Sequence, residues 1–231
     1  MKKRKIFRWI FLLFFFFLLT AGGVGLYVWH ATHSVPEFYS ALEITPEKRV
    51  QAEVDSDAME LKFHNWRREI RKSSAWILTF TQDELNHWLA IAIGEKRPGI
   101  VPHQLSNPRG EILENGHIRV GVTVNAPEFQ GVVSMELIPR VVEPNVVVVD
   151  FVNISVGKMK IIGPRIWGRI LSKVAQDAAL PIEVHWHDGT VMMTIRFRKG
   201  DLYFDNRSIE LHTLHIDGKN VQLTGLIHKL K

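Results

Sequence analysis

Three histidines near the C-terminus have the side-chain type and spacing of metal ligands. His185 and His187 lie two residues apart on a predicted strand, so they point to the same face, and Asp188 follows directly. With His212 on a nearby predicted strand they could form a three-imidazole site, a ligand set found in catalytic zinc enzymes. The alternative is that they occupy the solvent face of a half-buried sheet, because the apolar residues between them take the core positions. We expect this second interpretation and predict no metal site.

The 231-residue sequence lacks the other common signatures of catalysis. It contains no cysteine, which excludes a thiolate metal site, a cysteine nucleophile and a disulfide scaffold. It contains neither a Gly-x-Ser-x-Gly nucleophile elbow nor a phosphate-binding loop. No pair of carboxylates can be assigned to a catalytic pocket. We therefore expect no catalytic residue, no cofactor and no enzyme activity.

The N-terminal segment predicts a membrane anchor. Residues 2–5 read Lys-Lys-Arg-Lys, and residues 9–29 carry no charge. A helix of that length extends about 31 Å and can cross the hydrocarbon core, with its basic end in the cytoplasm. A cleaved signal peptide is the alternative, and it places the same domain beyond the membrane. The predicted organisation is a cytoplasmic tail (1–8), a transmembrane helix (9–29), a juxtamembrane linker (30–45) and a single extracytoplasmic domain (46–231).

Charge gives no reason to expect nucleic acid as a partner. The formal net charge is +5, but five basic residues precede the apolar segment. The predicted exterior domain is therefore nearly neutral, and its topology keeps it away from the genome.

Two helices with apolar stripes are predicted after the linker. Thr45-Pro46-Glu47 is a helix start, and apolar spacing predicts a long helix that ends near Lys72. Its stripe contains Met59, Phe63, Trp66 and Ile70. A short strand at 76–80 then leads into a capping box, in which Thr81 caps a second helix and Glu84 reaches back to the cap. This short helix is predicted over 82–93, with Gly94 as its C-cap.

Alternating hydrophobicity predicts a mainly antiparallel sheet for the rest of the chain. Pro98, Pro102 and Pro108 predict a loop, after which strands begin near residues 118, 133 and 146. The third strand is apolar on both faces and should be central. A helix is predicted from Gly163-Pro164 to Leu180, followed by a β-meander. The predicted fold class is α+β, with a long helix and a short helix packed on a mainly antiparallel curved sheet that one helix interrupts.

The predicted elements carry more apolar surface than one simple core requires. We expect these residues to form an ordinary core. The functional alternative is a groove or tunnel between sheet and helices that takes an acyl chain or another apolar ligand. The predicted lining residues are Trp66, Trp88, Leu89, Trp186 and Met193.

Residues 80–89 read Phe-Thr-Gln-Asp-Glu-Leu-Asn-His-Trp-Leu. This run resembles the Phe-Thr-x-x-Glu-Leu-Asn-x-x-Leu helix start of YpmS-like membrane-anchored proteins of unknown function, and similar starts occur in the tubular lipid-binding (TULIP) superfamily. The order of anchor, helix and curved sheet is also similar. The resemblance implies a lipid-binding or envelope-maintenance role without catalysis.

Asn86 is the polar residue that this motif singles out. Its amide can bind a ligand headgroup, or it can tie the short helix to the backbone of a neighbouring strand, which we expect. Two further functions stay open beside lipid binding. One is a scaffold that contacts envelope proteins, and the other is an anchored metal-dependent hydrolase built on His185 and His187.

Overall fold

The computed structural model describes residues 20, 22–97, 104–127, 129–160, 182–187, 190–197, 203–204 and 207–229. The predicted cytoplasmic tail, most of the apolar segment 9–29 and the helix predicted to end at Leu180 lie outside these residues. Within the described residues, no helix is long and apolar enough to cross a membrane. The transmembrane helix therefore stays a prediction.

The long helix and the short helix follow in the predicted order, and the predicted linker (30–45) contains helical residues that were not predicted. Helix α1 covers residues 22–33, and α2 covers Glu37–Ala41. A 3-10 turn, Pro46–Lys48, leads into the long helix α3, Arg49–Glu69. Pro46 suits the first position of the 3-10 turn, because proline has the φ of a first helical turn and no N–H that would need a partner there.

The capping box of the short helix is present. Thr81 Oγ1 accepts a hydrogen bond from the Glu84 main-chain N–H at 3.2 Å, and the Glu84 carboxylate accepts one from the Thr81 N–H at 2.9 Å. Helix α4 covers Gln82–His87 and continues as a π-helix over Trp88–Ile93, in place of the regular helix predicted to residue 93. Gly94 has a right-handed φ of −72°. This φ does not require a glycine. The absence of a side chain instead lets Pro108 approach closely, because a Cβ on Gly94 would lie 3.0 Å from Pro108 Cδ.

The described strands form two sheets, and every described strand pair is antiparallel. The strands are β1 Ala75–Thr81, β2 Leu105–Ile112, β3 Ile118–Ala126, β4 Phe129–Glu143, β5 Val146–Val156, β6 Met159–Lys160, β7 Ile182–His187, β8 Thr190–Arg196, β9 Tyr203–Phe204, β10 Arg207–Asp217 and β11 Asn220–Lys229. The first sheet has four strands in the order β1-β11-β10-β9, and the second has seven, with the path β2-β3-β4-β5-β8-β7 and β6 paired to β5.

The α+β class and the antiparallel pairing are thus as predicted, but the strands divide between two sheets. The early strand β1 pairs with the last strand β11. Strand β5 lies between β4 and β8, which confirms its central position, and Val147, Val148 and Val149 are all buried.

The loop predicted from the prolines is wrong over Leu105–Ile112, which forms β2 and pairs with β3. The register shifts between Ser106 and Arg109. Asn107 takes a left-handed φ of 51° inside this irregularity, and Pro108 follows it. A proline is tolerated there because a bulge interrupts the ladder that its missing N–H would otherwise break.

The described residues contain three clusters of buried side chains. The first packs Met59 of α3 against Leu78, Phe80 and Val221 of the four-stranded sheet and Ile112 of β2. The second is built on Val147, Val149, Phe151 and Val191 of the seven-stranded sheet, and the third on Ile70, Ile209 and Ile227. The predicted stripe of α3 therefore faces the core.

Candidate functional site

The predicted linker is fixed to the seven-stranded sheet through Tyr39. This side chain is only 4% exposed. Its hydroxyl donates to the Asn107 carbonyl oxygen at 2.6 Å and lies 2.8 Å from Thr123 Oγ1. The Arg109 guanidinium lies 4.2 Å from the centre of the ring and also donates to the Tyr39 carbonyl oxygen. Gly121 makes this approach possible, since a Cβ there would lie 2.7 Å from Tyr39 Cδ2.

The end of α1 is built into the turn between β5 and β6. The Lys158 main-chain N–H donates to the Ala31 carbonyl oxygen at 2.9 Å. Gly157 has a left-handed φ of +57°, and a Cβ there would lie 2.3 Å from the same oxygen. The His33 ring stacks on Trp29 with centroids 4.0 Å apart. Residues 31–42 are therefore a docked segment, which we call the docked link.

A cleft of about 190 Å³ with polar and apolar lining residues opens between the docked link and the seven-stranded sheet. We call it the link cleft. Its floor follows the strand register, because Arg119, Glu136 and Asn153 form one cross-strand row and Ser134 with Ser155 forms the next. Its lining residues are Pro36, Phe38, Arg119, Ser134, Met135, Glu136, Asn153, Ser155, Gly157, Lys158 and Lys160.

The charges of the link cleft are unbalanced. Three of its lining side chains are cationic and one, Glu136, is a carboxylate. Arg119 pairs with Glu136 at 2.7 Å and with Glu111 at 2.8 Å, so its charge is already neutralised. Lys158 and Lys160 are both exposed. Lys160 Nζ donates only to the Asn153 amide oxygen, at 3.3 Å, among the described residues.

Glu136 is held in its ionised form. Burial acts to raise the pKa of this carboxyl, but hydrogen bonds from Asn153 at 2.6 Å and from Arg119 outweigh it and lower the pKa below its ordinary value of 4.5. The folded-state pKa thus lies below that of the unfolded chain. The carboxylate therefore stabilises the fold above about pH 4.5, and this contribution is lost as the pH falls through the folded-state pKa.

We expect Glu136→Gln to flatten the dependence of stability on pH between pH 6 and pH 3. The measurement is urea unfolding of the full chain in detergent micelles at each pH, followed by tryptophan fluorescence. Glu114→Gln, in the exposed β2–β3 turn, is the matched control and should keep the wild-type slope. A Glu136→Gln slope equal to that of wild type would contradict the assignment.

The structure divides the predicted apolar lining residues between two clusters. Trp66 and Trp88 pack against the first cluster, and Met193 packs against the second. Leu89 lies against β2, with its Cδ1 3.0 Å from the position of a Cβ on Gly110. Trp186 is in β7, and its side chain lies outside the described part of the structure.

Trp88 also lines an open cleft of about 380 Å³ beside α3. Four of its five other lining residues are charged or polar, so it differs from the apolar groove considered as the alternative to an ordinary core. The five are Glu60, Phe63, His64, Arg67 and Arg97.

Asn86 has the structural role that we expected. The side chain is 3% exposed. Its Oδ1 accepts a hydrogen bond from the Gly110 main-chain N–H at 3.1 Å, and its Nδ2 donates to the Leu42 carbonyl oxygen at 3.4 Å. The amide therefore joins α4 to β2 and to the end of the docked link.

The histidines considered as metal ligands have separate partners. His185 Nε2 lies 3.2 Å from the Glu183 carboxylate in β7, and His212 Nε2 lies 3.2 Å from the Glu210 carboxylate in β10 of the other sheet. The side chain of His187 lies outside the described residues. Where the structure describes the chain, no group of three or more histidine, aspartate or glutamate side chains is arranged to hold a metal ion.

Comparison with known proteins leaves function to be argued from the site. No known protein family, curated protein or solved structure matches this chain. The resemblance to YpmS-like proteins therefore still depends on residues 80–89 and on the predicted order of elements. Sequence reasoning missed the link cleft, although the aromatic pair Phe38-Tyr39 and the glycine at 121 were available signals of a close contact.

Proposed function

We propose that this chain is a single-pass membrane protein whose extracytoplasmic domain binds lipid at the membrane surface, without catalysis. Helix α1 contains the last residues of the uncharged segment 9–29. Four of its apolar side chains are 62–73% exposed: Val24, Leu26, Tyr27 and Trp29. An exposed apolar helix of this kind is stable in lipid and aggregates in water. The basic residues before position 9 favour a cytoplasmic N-terminus.

The observation that carries the proposal is the docked link. Ala31 is hydrogen-bonded to the β5–β6 turn only two residues after Trp29. At 1.5 Å per helical residue, this contact lies about 3 Å beyond the end of the apolar segment. No free linker therefore separates the domain from the end of the apolar segment at Trp29. A domain held in this way lies against the headgroup layer, where a lipid-binding function is accessible to it.

Alkaline carbonate washing of membranes that contain the full chain tests this attachment. We expect the wild-type chain to stay in the membrane, and to retain phospholipid in native mass spectrometry after extraction in a mild detergent. Leu18→Arg is the control, because a charge at the centre of a span costs about 3 kcal/mol and should increase release. Release of the folded wild-type chain by carbonate would overturn the proposal.

A scaffold for envelope proteins is the second candidate function, and the outer face of α3 favours it. Val50, Val54 and Leu61 are spaced along one face of the helix and are 73%, 56% and 57% exposed. Such a stripe fits a protein partner. A chain that stays in the membrane but retains no phospholipid in the same experiment would support the scaffold and count against lipid binding.

A further inference from the structure

We propose that the link cleft binds the phosphate of an anionic phospholipid headgroup, with Lys158 and Lys160 as its charged ligands. The inference rests on the proposed membrane attachment and adds a site and a ligand chemistry to it. Three independent features of the cleft support it: its position, its charge and its size.

The position of the cleft matches the depth of lipid phosphates. Headgroup layers extend a bilayer from about 30 Å of hydrocarbon to 40–45 Å in total, so each layer is about 5–8 Å thick. His33 lies four positions after Trp29 in the helix, which is a rise of about 6 Å. The β5–β6 turn is hydrogen-bonded to this part of α1 through the Lys158 N–H, and Gly157 lies directly against it. The turn therefore lies at the level of the headgroups when residues 9–29 span the membrane.

The chemistry of the cleft suits a phosphate monoanion. Arg119 is paired with Glu136 and Glu111, so the cations without a carboxylate partner are Lys158 and Lys160, and these five groups together have a net charge of +1. Neither ammonium group has a carboxylate partner among the described residues. Ser134 and Ser155 add hydroxyl donors to the same cleft. Ammonium and hydroxyl donors together are the groups that proteins use to bind phosphate oxygens.

The size of the cleft suits a lipid headgroup better than acyl chains. Pockets for drug-sized ligands enclose about 300–1,000 Å³. The link cleft is open to solvent and has a volume of about 190 Å³, and its floor includes the polar side chains of two cross-strand rows. It has room for a phosphate with a small polar substituent. The acyl chains of such a lipid would stay in the bilayer beside α1.

The test uses the full chain in nanodiscs of phosphatidylcholine alone or mixed with phosphatidylglycerol. Native mass spectrometry then measures retained phosphatidylglycerol for wild type, for the double variant Lys158→Ala/Lys160→Ala, and for Lys219→Ala in the distant β10–β11 turn. Two lysines near an anionic surface account for about a 30-fold difference in affinity. We expect that loss in the double variant and wild-type retention in the control.

Amine labelling of the same nanodiscs distinguishes the sources of phosphate. Phosphatidylglycerol should protect Lys158 and Lys160 from labelling, with Lys219 unchanged. If inorganic phosphate in phosphatidylcholine discs protects the two lysines equally well, the site binds a soluble anion and the lipid source is wrong. Equal retention of phosphatidylglycerol by wild type and the double variant would overturn the site. If the chain still stays in the membrane during carbonate washing in that case, the site is wrong but the proposed membrane attachment is not.

Discussion

Replacing Gly157 with alanine is expected to detach the end of α1 from the domain and to lower the free energy of unfolding by about 3 kcal/mol. The φ of +57° disfavours any side chain, and the new Cβ would lie 2.3, 2.5 and 2.8 Å from the carbonyl oxygens of Ala31, Thr32 and Ser34. These are main-chain atoms, so no flexible side chain can move aside. The turn and the helix must separate, and the hydrogen bond from Lys158 to Ala31 is lost with them.

Gly218→Ala is the matched control for this prediction. Gly218 has a φ of +55°, but a Cβ there meets nothing within 4 Å. Gly218→Ala should therefore lower the free energy of unfolding by about 1 kcal/mol, which is the cost of a left-handed backbone alone. Urea unfolding of the full chain in detergent micelles measures both losses, and amide hydrogen exchange over residues 31–42 should rise in Gly157→Ala alone. Equal losses in the two variants would show that the contact with α1 contributes nothing to stability.

Local signals predicted the elements in which a single periodicity was visible. The capping box at Thr81 and Glu84 is present, and the stripe that contains Met59 and Ile70 faces the core. These features depend on residues three or four positions apart, so the sequence contains all the information that they need. Val54 and Leu61 sit beside that stripe in the sequence pattern but are exposed, because a pattern does not state how wide the covered face is.

Strand β2 was missed because its buried positions hold atypical residues. Pro108, Gly110 and Ile112 alternate as buried residues along it. Proline and glycine are both strong signals of a loop. Only the bulge at Asn107 and the pairing with β3 make this stretch a strand, and both depend on contacts distant in sequence.

The link cleft was missed for a related reason. The polar positions of β3, such as Arg119 and Thr123, have the pattern of a solvent-facing side. The docked link covers them instead, with the Arg119 guanidinium 5.1 Å from the centre of the Phe38 ring. The pairing of β1 with β11 is another long-range choice. Alternation predicts which face of a strand is apolar, and it does not identify what covers the other face.

Removing the amide of Asn86 is expected to lower the free energy of unfolding by about 2 kcal/mol. Asn86→Ala leaves the main-chain N–H of Gly110 without a partner at a buried position, and the cost of an unsatisfied buried donor is about 1–3 kcal/mol. The bond to Leu42 adds little because its donor–acceptor distance is 3.4 Å. The measurement is again urea unfolding of the full chain in micelles.

Asn125→Ala tests whether burial is the cause of the Asn86 effect. Asn125 also uses its amide in a hydrogen bond, to Ser106 Oγ at 2.9 Å, but it is exposed, so water can replace the lost partner. We expect that variant to change stability by about 0.5 kcal/mol or less. Equal effects at the two positions would mean that the Gly110 donor finds another partner. A large effect at Asn86 with wild-type retention of phospholipid would show that this amide acts through its hydrogen bonds to Gly110 and Leu42.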